Sequence, residues 1–101
     1  MSNQFGDRVK QLRELNQLLQ RQVASQLDID TSMLCKIEGG GRKAKKEQVI
    51  QFAKVLKVNA DDLLTIWLAD QLIEVVEGEN LALKAIQVAE EGVKYNSKKK
   101  K

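Results

Sequence analysis

The stretch QRQVASQLDIDTSMLCKIE, residues 20–38, constrains this chain more than any other. Val23, Ala24 and Leu27 recur at helical spacing, LDID interrupts them, and Leu34 and Ile37 resume the pattern. Ala24 is small, so a second helix can cross close to it at a steep angle. Asp28 tolerates the left-handed backbone that a tight turn between helices requires. Asp30 stands where a carboxylate accepts hydrogen bonds from the free amides of a new helix, about residues 31–38. If Ile29, Leu34 and Ile37 fasten that helix to a core, then Thr31, Ser32, Cys35 and Lys36 face outward near its start.

The rest of the chain supplies the helices such a pair needs. Phe5, Val9, Leu12 and Leu15 form the apolar side of a first helix, about residues 5–15. GGGRKAKK then reads as a flexible basic loop, because an interior glycine costs a helix about 1 kcal/mol relative to alanine. Val49, Ile50, Phe52, Ala53 and Leu56 mark a fourth helix. Asn59 can cap a fifth, whose stripe runs through Leu63, Leu64, Trp67, Leu68, Leu72, Val75 and Val76. A last helix, about residues 81–95, carries Leu83, Ile86, Ala89 and Val93. Absence of proline and four aromatic residues among 101 agree with an all-α fold.

The turn with its outward polar face is the arrangement of a helix-turn-helix, in which the second helix enters the major groove of DNA. The chain resembles the Cro/phage-repressor (XRE) family over about residues 6–68, through LRELN (12–16), QRQVA (20–24), IDTSMLCKIE (29–38) and AKVLKVNADDLL (53–64). The resemblance implies a five-helix repressor-like DNA-binding domain, here with an extra C-terminal helix. It implies that Gln20 contacts a phosphate and that Thr31, Ser32 and Lys36 contact bases or adjacent phosphates. It also pairs Arg13 with Glu38, tying the first helix to the recognition helix. Leu19 stands where the family has Ser or Thr, Asp28 where glycine is common, and the loop has an extra glycine and lacks a proline. The first two departures are expected to cost stability without altering docking.

Charge divides along the chain. Residues 1–60 carry +5, residues 61–97 carry −6, and Lys98 to Lys101 add four positive charges. A basic front half is expected to meet a polyanion while the acidic rear does not. The DNA-contacting set is therefore Gln20, Arg21, Thr31, Ser32, Cys35 and Lys36, with Arg42, Lys43, Lys45 and Lys46 of the loop reaching the backbone. Cys35 reads as a small, half-buried residue beside this face; a single cysteine has no resolving thiol. GGGRK lacks the spacing of a nucleotide-binding loop and follows no strand.

One cysteine and no histidine leave too few parts for a zinc cluster or a Cys-His nucleophile. Asp61 and Asp62, like Glu90 and Glu91, are adjacent and point apart on a helix, unlike a working carboxylate pair. No enzyme, metal or cofactor is expected. Without a secretory signal or an apolar run near ~18 residues, the chain is expected in the cytoplasm, away from membranes.

Residues 1–68 are thus assigned to DNA binding, 69–95 to a helical extension, and 96–101 to a disordered basic tail. Trp67, Leu68, Leu72, Ile73 and Val76 exceed what five short helices can cover. Both the last helix and a second subunit are expected to cover them. The expected protein is a homodimeric regulator, a repressor of a near-palindromic double-stranded operator. The extension resembles one found in relatives encoded near DNA methyltransferases, which points to a restriction-modification or defence locus. The alternative is an antitoxin-like module that binds a protein partner through its C-terminal helices and uses DNA for autoregulation.

Overall fold

The computed structural model describes residues 3–99, and within them the chain is all-helical. The helices are α1 (Gln4–Leu15), α2 (Gln20–Gln26), α3 (Thr31–Gly39), α4 (Lys46–Leu56), α5 (Ala60–Val76) and α6 (Ala82–Lys99).

Their boundaries follow local chemistry. The Asp30 carboxylate accepts from the Met33 amide at 2.7 Å, and Asn59 accepts from Asp61 at 2.7 Å, so both expected caps form. Asp28 takes the left-handed backbone, φ 57°, between α2 and α3. Gln17 and Lys57 do the same after α1 and α4, which nothing in their residue types announced. Gly40, at φ 86°, closes α3. Leu19 gives α2 no side-chain cap; instead the Leu19 amide donates to Gln22 Oε1 at 2.7 Å.

The core lies among the first five helices. Phe5, Val9 and Leu12 of α1 meet Val23 and Ala24 of α2, Leu34 and Ile37 of α3, Val49, Phe52 and Leu56 of α4, and Leu63 of α5. Phe52 is fully buried and takes the Phe5 ring edge to face, with centroids 5.8 Å apart. Leu15, expected on the inner side of α1, is 71% exposed. The helix ends there, and no later element reaches back over it.

The C-terminal part departs from expectation more widely. The last helix does not cover α5: Leu68 and Leu72 are more than half exposed, and every side chain from Leu83 to Ser97 is exposed. The expected disordered tail is also corrected, since α6 continues through Asn96 to Lys99; residues 100 and 101 lie outside the described residues. The expected boundary after Leu68 falls inside the unbroken α5. No helix among the described residues is long and apolar enough to cross a membrane.

Candidate nucleic-acid interface

The outward face of α3 is set by which of its residues the core takes. Leu34 and Ile37 are buried, and at 100° per residue this turns Thr31, Ser32, Cys35 and Lys36 to the opposite side, where all four are exposed. Ala24, 1% exposed, lets α2 and α3 approach closely, and Ile29 is half-buried against the core. Cys35 is exposed, more open than the half-buried position expected of it.

The segment after α3 is held rather than flexible, which corrects the sequence reading. Gly41 donates its amide to the Lys36 carbonyl at 2.9 Å, and Ala44 is buried. The indole N–H of Trp67 donates to the Ala44 carbonyl at 2.8 Å. Lys45 leads into α4 with its amide held by Gln48 Oε1 at 2.8 Å. Arg42, Lys43, Lys45 and Lys46 nevertheless keep exposed side chains. A groove lined by Ile29, Met33, Arg42, Lys43, Lys45 and Gln48 brings three of these cations beside the turn and α3. Lys43 also donates to Gln71 Oε1 of α5 at 3.3 Å.

A bidentate ion pair fixes α3 from behind. Arg13 Nε donates to Glu38 Oε2 at 2.7 Å and Nη2 to Oε1 at 3.1 Å, while Nη1 donates to the Leu18 carbonyl at 3.0 Å. Only 11% of the arginine side chain and 4% of the glutamate side chain meet solvent. The hydrogen bond to Glu38 raises the Arg13 pKa above its already high ordinary value, against the lowering effect of burial. A raised value makes the arginine's contribution fully present below the ordinary arginine range, so no loss arises from this group around neutral pH.

Gln20 joins this pair. Its Nε2 donates to Glu38 Oε1 at 3.0 Å, so the half-buried side chain expected to meet a phosphate is engaged with α3. Arg21 beside it is exposed. The structure thus brings Thr31, Ser32, Cys35 and Lys36 onto one face with the loop cations at its flank, and places Gln20 in the support behind them.

Several supporting residues escaped the sequence reading. Gly6 packs α1 on the end of α3: a Cβ there would lie 2.5 Å from the Ile37 carbonyl oxygen and 2.7 Å from that of Glu38, and would also strike Asn3. Asn3 Nδ2 donates to the Glu38 carbonyl at 2.9 Å. Asp70, on α5, accepts from the Gln4 and Phe5 amides at 3.2 and 2.8 Å, satisfying the open start of α1. No local pattern could reveal a cap supplied from so far along the chain.

Trp67, expected at a dimer surface, is partly buried against the core and bonded to Ala44; Ile73 and Val76 are half-buried. Leu68 and Leu72 stand open.

Among known proteins, the family model described as a helix-turn-helix domain matches residues 6–66, more than half of the chain. No curated protein and no solved structure matches it.

Proposed function

The chain belongs to the helix-turn-helix domain family, and from that premise we propose that this DNA-binding regulator is a dimeric, sequence-specific repressor of a near-palindromic operator, of the Cro/phage-repressor type. The observation that carries the reading is the division of α3: Leu34 and Ile37 are buried while Thr31, Ser32, Cys35 and Lys36 are exposed on one side.

A helix presented in this way fits the major groove, where hydroxyls and an ammonium group meet base edges. Lys36 donates to guanine or to phosphate. Arg21, Arg42, Lys45 and Lys46 neutralise phosphates, and the counterions they release supply most of the affinity. Gln20 supports the recognition helix through Glu38.

A dimer follows from the apolar surface left open on the C-terminal helices, Leu68 and Leu72 above all. Two recognition helices one duplex turn apart, about 34 Å, then match a symmetric site. Selection of bound fragments from random duplex DNA, with sizing of the complex, tests the whole reading. A symmetric consensus bound by two copies is expected; recovery of unselected sequence would overturn it.

A further inference from the structure

Resting on the reading above that the loop cations meet DNA phosphates, we infer that Trp67 is a positioning residue for DNA binding. Its indole N–H, bonded to the Ala44 carbonyl, sets the loop between α3 and α4 so that Arg42, Lys45 and Lys46 stand beside α3 before a duplex arrives.

The loop is fixed at its two ends. At one, the Gly41 amide donates to the Lys36 carbonyl at 2.9 Å; at the other, the Lys45 amide donates to Gln48 Oε1 at 2.8 Å. Between them, residues 42–44 make no backbone–backbone hydrogen bond among the described residues. Packing adds little. A cleft of about 240 Å³ opens between Gly41, Arg42 and Lys43 on one side and Trp67 and Gln71 of α5 on the other. Ala44 is buried, while residues 41–43 and 45–46 around it are exposed. One methyl group fixes where the chain passes but not how its peptide groups are turned. The 2.8 Å bond from Trp67 supplies that direction.

Helix α5 is built to hold its end of this bond. Trp67, Asp70 and Gln71 are three and four positions apart and so share a face. Asp70 accepts from the Gln4 and Phe5 amides, which ties that face to α1. Gln71 Nε2 donates to the Trp67 carbonyl at 3.3 Å while its Oε1 accepts from Lys43 Nζ at 3.3 Å, a second and longer tie to the loop. Trp67 itself packs against the core, so its ring does not follow the loop. An indole N–H only donates, and this one donates to main chain. It therefore acts on the path of the loop and not on the charge of any one cation.

Without that donor, the carbonyl of a buried residue turns to water and the loop has to be ordered again when DNA binds. The cost falls on every sequence alike. Phosphate contacts, once made, stay the same in number, so the salt dependence does not change.

The test uses the full chain, whose only tryptophan is Trp67, with a duplex recovered by the selection above and a scrambled one. Trp67→Phe keeps a ring and removes the N–H; benzothienylalanine in place of the tryptophan also keeps the shape of the indole. Binding is measured across salt concentration at a temperature where circular dichroism shows each protein folded. Affinity for both duplexes should fall by the same factor, about two- to tenfold, which is the net worth of one hydrogen bond, with the salt slope unchanged. Arg42→Ala and Lys45→Ala should instead each lower the slope by about one unit. In the Arg42→Ala, Lys45→Ala double variant, removing the indole N–H should lose most of its effect, because its route to DNA is gone. If the loop variants lower the slope but loss of the N–H leaves affinity unchanged, or keeps its full effect in the double variant, this inference fails and the loop reading stands. Loop variants that alter neither affinity nor slope overturn the loop reading and this inference together.

Discussion

Residues 4–66 and the helices beyond them obey the same periodic rules with opposite outcomes. In the front region each apolar stripe finds a partner: Val9, Val23, Leu34, Val49 and Phe52 are all fully buried. In the rear region stripes of equal clarity stay open, with Leu72 59% and Val75 79% exposed. The two regions meet within α5. One side of it lays Leu63 and Trp67 on the core and sends Asp70 to cap α1, while the other carries Leu68, Leu72 and Val75 into solvent. A helix with apolar residues on both sides needs cover on both. Periodicity thus reveals where an apolar face lies, and the supply of neighbouring elements decides whether it is covered.

If the front region is held by groups that solvent cannot replace, the largest effect should come from its buried ion pair. Arg13→Ala strands Glu38, and leaving such a charge unpaired costs about 3 to 5 kcal/mol. Denaturant melts should show the domain losing that much stability, with DNA binding lost by unfolding. An unchanged melting temperature would break the comparison at its strongest point.

Close approach of backbones comes next. Gly6→Ala forces a methyl group against the Ile37 and Glu38 carbonyls, which cannot rotate away as a side chain would. Overpacking of this kind costs about 1 to 3 kcal/mol. Gly92→Ala, with open space around it, should instead leave the protomer as stable or more so in the same melts. Equal losses from both would mean that the two glycines do not differ in surroundings.

The DNA face sharpens the comparison in another way, since its residues are exposed yet bear on function. Lys36→Ala should lose about 1 to 3 kcal/mol of discrimination at one base position, read by competition between duplexes. Lys45→Ala should weaken all sequences alike and lower the salt slope by about one unit. Loss of the same size on operator and random duplex from both variants would remove the division of labour between α3 and the loop.

What could be read in the residues themselves was local. Asp28, Asp30 and Asn59 announced a turn and two caps because their side chains act on their own backbone. Leu34 and Ile37 announced the outward face of α3 by spacing alone. The Arg13–Glu38 pair came only through family resemblance, because nothing in either residue shows that 25 positions of chain will bring them together. The long-range supports were illegible for the same reason: Asp70 on α1, Trp67 on Ala44, and Gln20 turned to Glu38. The basic loop looked flexible because its glycines and lysines dominate its composition, while Ala44, the buried residue through which Trp67 anchors it, has no signature.

The smallest effect belongs to an exposed ion pair of the rear region. Glu90 and Lys94 stand one helical turn apart with 4.0 Å between their charged groups, and both side chains are about two-thirds exposed. Solvent screens such a pair, and two long side chains must be ordered to make it, so it contributes about 0.3 to 0.5 kcal/mol at most. Lys94→Ala should therefore shift the melt by an amount that added salt erases. A salt-independent loss above about 1 kcal/mol would mean that the outer face of α6 is covered in solution. The contrast between a region that buries its charges and one that hydrates them would then fail.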